Sequence, residues 1–172
     1  MADTAPDDAA ASTQATCGQR LLCAENLPIG VPFDLGIYQV THDEIVSFAR
    51  HWDPLPIHVD DKAAAEGQFG EVIASGIHTL AIFQRLAALG PYRDWDVVAG
   101  RAIRDVQLTS PVRPGMSLRG SVTVVGIELS HRSRALVTQH GALTDAADGT
   151  PILSLVIEAY VRHRRPAQPA AS

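Results

Sequence analysis

Cysteine, aromatic side chains and charge are all scarce in this chain. Its 172 residues include two cysteines, 5% aromatics and 19% charged residues. Cys17 and Cys23 do not stand at CxxC spacing, and Cys17 borders a run of small polar residues. Neither a structural disulfide nor a thiolate metal site is therefore expected. No apolar run approaches the ~20 residues of a membrane-spanning helix. The opening stretch, MADTAPDDAAASTQATCG, has no basic segment leading into an apolar block, so it does not read as a secretory signal. A cytoplasmic location is expected. Lysine and arginine number 14 against 19 aspartates and glutamates, for a net charge of -5. That balance lacks the basic face of a nucleic-acid binder and the polybasic cluster that holds a protein on an anionic membrane.

What is present is an ordinary globular composition, 46% hydrophobic, of a length that suits one domain with a substantial core. The two ends are of low complexity. Residues 1–20 read as a disordered tail and 164–172 as a flexible one, leaving 21–163 as a single domain. Within it, VPFDLGIYQV (31–40) predicts a strand, and THDEIVSFARHW a short helix. Thr41 and Glu44 stand at capping-box spacing, with Ile45, Phe48 and Ala49 on one face. DDKAAAEGQFG predicts a second helical piece ending at Gly67 or Gly70. IHTLAIFQRLAAL (77–89) is apolar around most of its circumference, with only His78 and Arg85 as a thin polar stripe, and so should be buried on most sides. His78 reads as a partly buried helix residue.

The period then changes to two. Strands are expected at 97–109, 117–127, 133–143 and 151–162. In the last of these Leu153, Leu155, Ile157, Ala159 and Val161 face the core, while Ser154, Glu158, Tyr160 and Arg162 face water. Consecutive strands after a long helix imply an α+β fold. Its simplest packing is a hot-dog fold, an antiparallel sheet wrapped around one long central helix.

The densest chemistry lies in HWDPLPIHVDD (51–61). Pro54 and Pro56 exclude a helix between Asp53 and His58 and hold the segment extended, then turned, so that the two side chains converge. An imidazole beside a carboxylate can take a proton from water and return it elsewhere. Ser75 and Gly76 head the apolar helix, where free amides and the positive end of the dipole would hold a developing oxyanion. Taken alone, the DxxxxH spacing describes a satisfied surface pair far more often than a catalytic dyad, and Ser75-Gly76 more often an ordinary cap. His51, His58, Asp60, Asp61 and His78 are ligand types without HExxH spacing, so no metal is expected. The absence of GxSxG argues against a serine-nucleophile elbow.

The stretch Asp53-Pro54-Leu55-Pro56-Ile57-His58 resembles the signature of the MaoC-like hydratases and dehydratases, the group of the (R)-specific enoyl-CoA hydratases: Asp, any residue, Asn, Pro, an aliphatic residue, His. GEVIASGIHTLAIFQRL and TSPVRPGMSLRGSVTV (109–124) are similar to two further blocks of that family. The resemblance runs from about Pro28 to Arg162 and departs at Leu55, where the family has Asn. It implies an enoyl-CoA hydratase or 3-hydroxyacyl-thioester dehydratase, with Asp53 and His58 as the acid–base pair and the Gly76 amide polarising the thioester carbonyl. It also implies no cofactor, a coenzyme A or acyl-carrier-protein thioester as substrate, and a homodimer with the site near its interface. A thioesterase using the same pocket and a non-catalytic acyl-thioester-binding subunit are the alternatives. Arg113, Arg132 and Arg134 are the candidates for coenzyme A phosphates, because guanidinium groups suit them.

Overall fold

The computed structural model describes residues 21–130 and 133–164. The expected tails, with Cys17 and all of 164–172 but its first residue, lie outside those residues, as does Arg132.

The first strand, β1 (Pro32–Gln39), bends at Gly36, whose φ of 83° only glycine adopts freely. Its amide is held by the Asp34 carboxylate at 2.9 Å. Helix α1 (His42–Trp52) starts where expected, with the Thr41 hydroxyl accepting from the Glu44 amide at 3.3 Å. The Glu44 carboxylate does not reach back to complete a capping box and accepts from the Tyr38 hydroxyl instead. The single-turn helices α2 (Pro56–Val59) and α3 (Asp61–Ala65) follow. The α3 turn stops before either expected glycine, and Asp60 caps it through the Lys62 and Ala63 amides.

The sequence from 53 to 58 was expected to be non-helical, and α2 corrects that. Pro56 occupies the first position of the turn, where its missing N–H would be unbonded anyway and its fixed φ already suits a helix. A proline breaks a helix from inside and starts one from its edge.

Helix α4 (Gly76–Leu89) lies across the sheet formed by β1, β2 (Val97–Leu108), β3 (Ser117–Ser130), β4 (Arg134–Asp145) and β5 (Pro151–Arg162). The strand order is β1-β3-β4-β5-β2, antiparallel at every junction. From α4, Ile82, Phe83, Leu86 and Ala87 enter a core shared with Leu35, Leu118, Val122, Leu143, Leu153 and Leu155. Each large side chain so buried contributes about 1.5–3 kcal/mol relative to exposure. Gly141 makes this packing feasible: a Cβ there would lie 2.4 Å from Phe83 Cζ and 2.9 Å from Leu155 Cδ2.

Three further expectations are corrected. Helix α4 is not buried on most sides, since Ile77 and Leu89 are 56% and 57% exposed. His78 is fully buried rather than partly so, with its ring stacked on Phe48 at 4.4 Å. In β5 the alternation holds, but Glu158 on the expected wet face is buried. Its two carboxylate oxygens are taken by Arg101 and Arg104 of the neighbouring β2. Period-two reasoning assigns a face; it does not foresee that long side chains from an adjacent strand will roof that face.

Strand β2 is the sheet edge beside β5 and is exposed along nearly its whole length. Val98, Ile103, Val106 and Leu108 are each at least 44% exposed. Among the described residues no helix spans enough apolar length to cross a membrane.

Candidate active site

Asp53 ends α1. Its amide still bonds back to the Ala49 carbonyl at 2.8 Å, but Pro54 prevents another helical turn and leaves Asp53 at φ -157°, ψ 68°. The chain then doubles back through backbone contacts. Leu55 N donates to Asp53 O at 2.8 Å and His58 N donates to Leu55 O at 2.9 Å. The Leu55 side chain is 53% exposed and takes no part in this turn.

His58 is buried and Asp53 half-buried, with Nε2 of one 3.7 Å from Oδ2 of the other. The convergence expected from the sequence is therefore present, by way of a helical turn. The other ring nitrogen, Nδ1, lies 2.7 Å from the Ile73 carbonyl. A carbonyl only accepts, so Nδ1 carries a proton and Nε2 of the neutral ring presents its lone pair toward Asp53. Two acceptors facing each other across 3.7 Å suit a molecule that donates to both.

Ile73 belongs to an extended segment that stitches the site together. Its amide donates to Ile57 O at 3.3 Å, and the next amide, Ala74 N, donates to Val112 O at 2.9 Å. This carries the chain to Ser75, which caps α4 by accepting from His78 N at 3.1 Å. The Ser75 side chain is thus occupied by its own helix. The amides of Gly76 and Ile77 have no hydrogen-bond partner among the described residues. His58 and Gly76 line one cavity of about 330 Å³, with Phe69, Ile73, Leu108 and Val112 among its walls. Leu108 packs so closely on Gly76 that a Cβ would lie 2.4 Å from its Cδ1.

Of the candidate arginines, the two among the described residues are placed elsewhere or otherwise engaged. Arg113 Nη1 donates to Phe69 O at 3.0 Å and to Glu71 Oε1 at 2.6 Å. Arg134 pairs in register with Arg162, and its guanidinium lies over the Tyr160 ring at 4.4 Å. The cavity residue Leu108 pairs with Leu153, at the other end of β5. At ~3.3 Å per residue, Leu153 and Arg162 are about 30 Å apart along that strand.

Beneath the helix head lies a polar cluster that sequence reasoning missed. Tyr38 OH donates to Glu44, whose carboxylate is also 3.6 Å from His78 Nε2. His78 Nδ1 is buried without a partner among the described residues. Burial holds the His78 pKa below its ordinary value despite the Glu44 carboxylate, while Glu44 raises that of the Tyr38 hydroxyl. Arg85, from the same helix, faces the Tyr38 ring at 6.0 Å. The sign for stability follows from linkage. A base with a depressed folded pKa binds fewer protons folded than unfolded, so its contribution is full above the ordinary value of 6.5 and is lost as pH falls through and below it. The unfolding free energy of wild type should therefore fall more steeply from about pH 7 to about pH 5 than that of His78→Gln, measured by urea titration. Parallel curves would exclude His78 as the source. His42 works in the opposite sense from the surface, raised by the Asp61 and Asp43 carboxylates, and both proteins keep it.

The sequence model of the MaoC like domain matches residues 26–146. The chain is 34% identical over 115 residues to uncharacterized protein YdeM of Bacillus subtilis, covering 66% of this chain and 81% of that one. It is 29% identical over 126 residues to 3-hydroxyacyl-thioester dehydratase Z of Mycobacterium tuberculosis, covering 72% and 82%. The crystal structure of the MaoC-like dehydratase from Rhodospirillum rubrum matches with a TM-score of 0.72 and 31% identity, over 84% of this chain and 99% of that one.

Proposed function

The chain belongs to the MaoC-like domain family, with the hot-dog fold of its hydratases and dehydratases, and from that membership we propose that it is a hydro-lyase acting on an enoyl or 3-hydroxyacyl thioester. The observation that carries this reading is the Asp53–His58 pair, with the His58 tautomer set by Ile73 O and His58 itself lining the cavity that Gly76 also lines. A water placed between the two acceptors donates one hydrogen to each. Its oxygen attacks C3 of the enoyl thioester as His58 Nε2 takes a proton. The C2–C3 π pair moves toward the thioester oxygen, where the Gly76 amide, unpaired among the described residues, stabilises the developing charge, a contact often worth about 3 kcal/mol. The proton on His58 is then returned to C2 on the same face, so hydroxyl and hydrogen are added without net proton exchange. Dehydration runs the same steps backward. Every group this needs belongs to the chain or the substrate, so the proposal includes no cofactor.

A second copy completes the assembly in this proposal. The edge of β2, unpaired among the described residues and with Val98, Ile103 and Val106 exposed, is the kind of edge that proteins ordinarily cover. Leu108, on the same strand, reaches the cavity wall. Pairing β2 with its symmetry mate makes a homodimer with the site beside the interface.

One experiment tests chemistry and assembly together. Protein eluting at the mass of a dimer, incubated with crotonyl-CoA and longer enoyl-CoAs, should bleach the enoyl thioester absorbance without releasing free thiol. Thiol release at a matching rate would replace this reading with a thioesterase. No change on any chain length would favour a binding subunit. A monomeric mass would remove the proposed role of β2.

A further inference from the structure

Arg113 is spent on the protein itself, and what it holds is a wall of the cavity. Its guanidinium grips two points of the segment between α3 and α4: the Phe69 carbonyl and the Glu71 carboxylate. Phe69 is the one aromatic among the described residues that line the cavity, and it is only partly buried. Its backbone lies in no helix or strand, and Gly70 beside it has a φ of 76°. Val72, beside Glu71, is buried and also anchors this segment. Two residues beyond Glu71 the same segment supplies the Ile73 carbonyl that orients His58. Val112, next to Arg113, receives the Ala74 amide. Arg113 and Val112 therefore clamp the segment at both ends of the stretch that connects Phe69 to His58.

We propose that Phe69, held in place by Arg113 through Phe69 O and Glu71, limits the length of acyl chain that the cavity accepts. Phe69 is the specificity-determining residue and Arg113 a positioning residue. The inference rests on the acyl-thioester reading above and deepens it. The cavity, at about 330 Å³, is near the lower end of the ~300–1,000 Å³ usual for ligand sites. Its walls of Phe69, Ile73, Leu108 and Val112 suit a hydrocarbon chain. Substituting Phe69 removes the ring while keeping Asp53, His58 and Gly76 as residues.

The test compares wild type, Phe69→Ala, Arg113→Gln and Arg113→Lys as full-length proteins, each confirmed folded by thermal melting. Hydration of crotonyl-, octenoyl- and dodecenoyl-CoA gives kcat and KM, and calorimetry gives Kd for the matching saturated acyl-CoAs. Phe69→Ala should raise the kcat/KM ratio of octenoyl- to crotonyl-CoA by about tenfold, the scale at which an apolar pocket discriminates chain length. Arg113→Gln should shift the ratio in the same direction, and Arg113→Lys, which keeps a charge for Glu71, should shift it less. A chain-length profile unchanged in Phe69→Ala overturns the proposal. If Arg113→Gln instead raises KM equally for every chain, with a salt dependence, Arg113 binds the coenzyme A phosphates and the positioning role is wrong. If wild type binds saturated acyl-CoAs but hydrates nothing, the hydro-lyase reading fails, and the same shift, read in Kd, still decides the role of Phe69. Failure to bind any acyl-CoA sinks both.

Discussion

Asp53→Asn should lower kcat for enoyl-CoA hydration by on the order of 10²–10⁴-fold while leaving the fold intact, and His58→Ala should do likewise. The geometry gives the reason. Nδ1 of His58 is committed to the Ile73 carbonyl at 2.7 Å, so Nε2 alone is free to take a proton, and it faces Asp53 Oδ2 at 3.7 Å. An Asn at 53 presents either an amide N–H, which would donate to Nε2 and neutralise the base, or an uncharged oxygen that holds water weakly. Loss of His58 removes the base itself. Because the two groups act on one water, the double variant should be little worse than either single one, a non-additivity expected of residues working as a unit. Steady-state rates with crotonyl-CoA, with melting temperatures as the control for folding, decide the matter. Turnover unchanged in both single variants would remove the pair from the mechanism.

Phe83→Ala should cost about 3–5 kcal/mol of stability, and Gly141→Ala about 1–3 kcal/mol, for opposite reasons at one contact. Phe83 is 1% exposed and fills the space between α4 and the sheet. Its ring reaches the bare Cα of Gly141, where a methyl would lie 2.4 Å from Cζ and 2.7 Å from Cε2. The first substitution leaves a void and the second overfills the same place. The methyl added at 141 can then occupy part of the void left at 83, so the double variant should cost less than the two single costs added together. In thermal melts a loss of about 3 kcal/mol corresponds to a fall of roughly 6–12 °C for a domain of this size. Strict additivity would mean that the two positions do not share one space.

Much of this was legible in the chain because it depends on local rules. Alternation in 151–162 announced a strand with one buried face, and Thr41 announced the start of α1 through a hydroxyl that accepts an amide three residues on. Two prolines spaced around Leu55 announced that the chain must turn between Asp53 and His58. They did not announce how, since proline at the first position of a turn favours the helix that proline inside one forbids. The role of Leu55 was equally illegible: the turn is held by its carbonyl, and a carbonyl has no letter in the sequence.

The same limit covers the rest of the site. The order of elements, the acid and the imidazole, and the glycine at the helix head are properties of residue type and spacing, and the amino-acid sequence determines them unaided. Which nitrogen of His58 is the base, that Arg113 grips Phe69 and Glu71, and that Glu44 joins Tyr38 to His78 depend on partners up to 44 residues away. Only the packed chain decides these, because long-range contacts form through backbone carbonyls and unpatterned side chains that carry no periodicity to read.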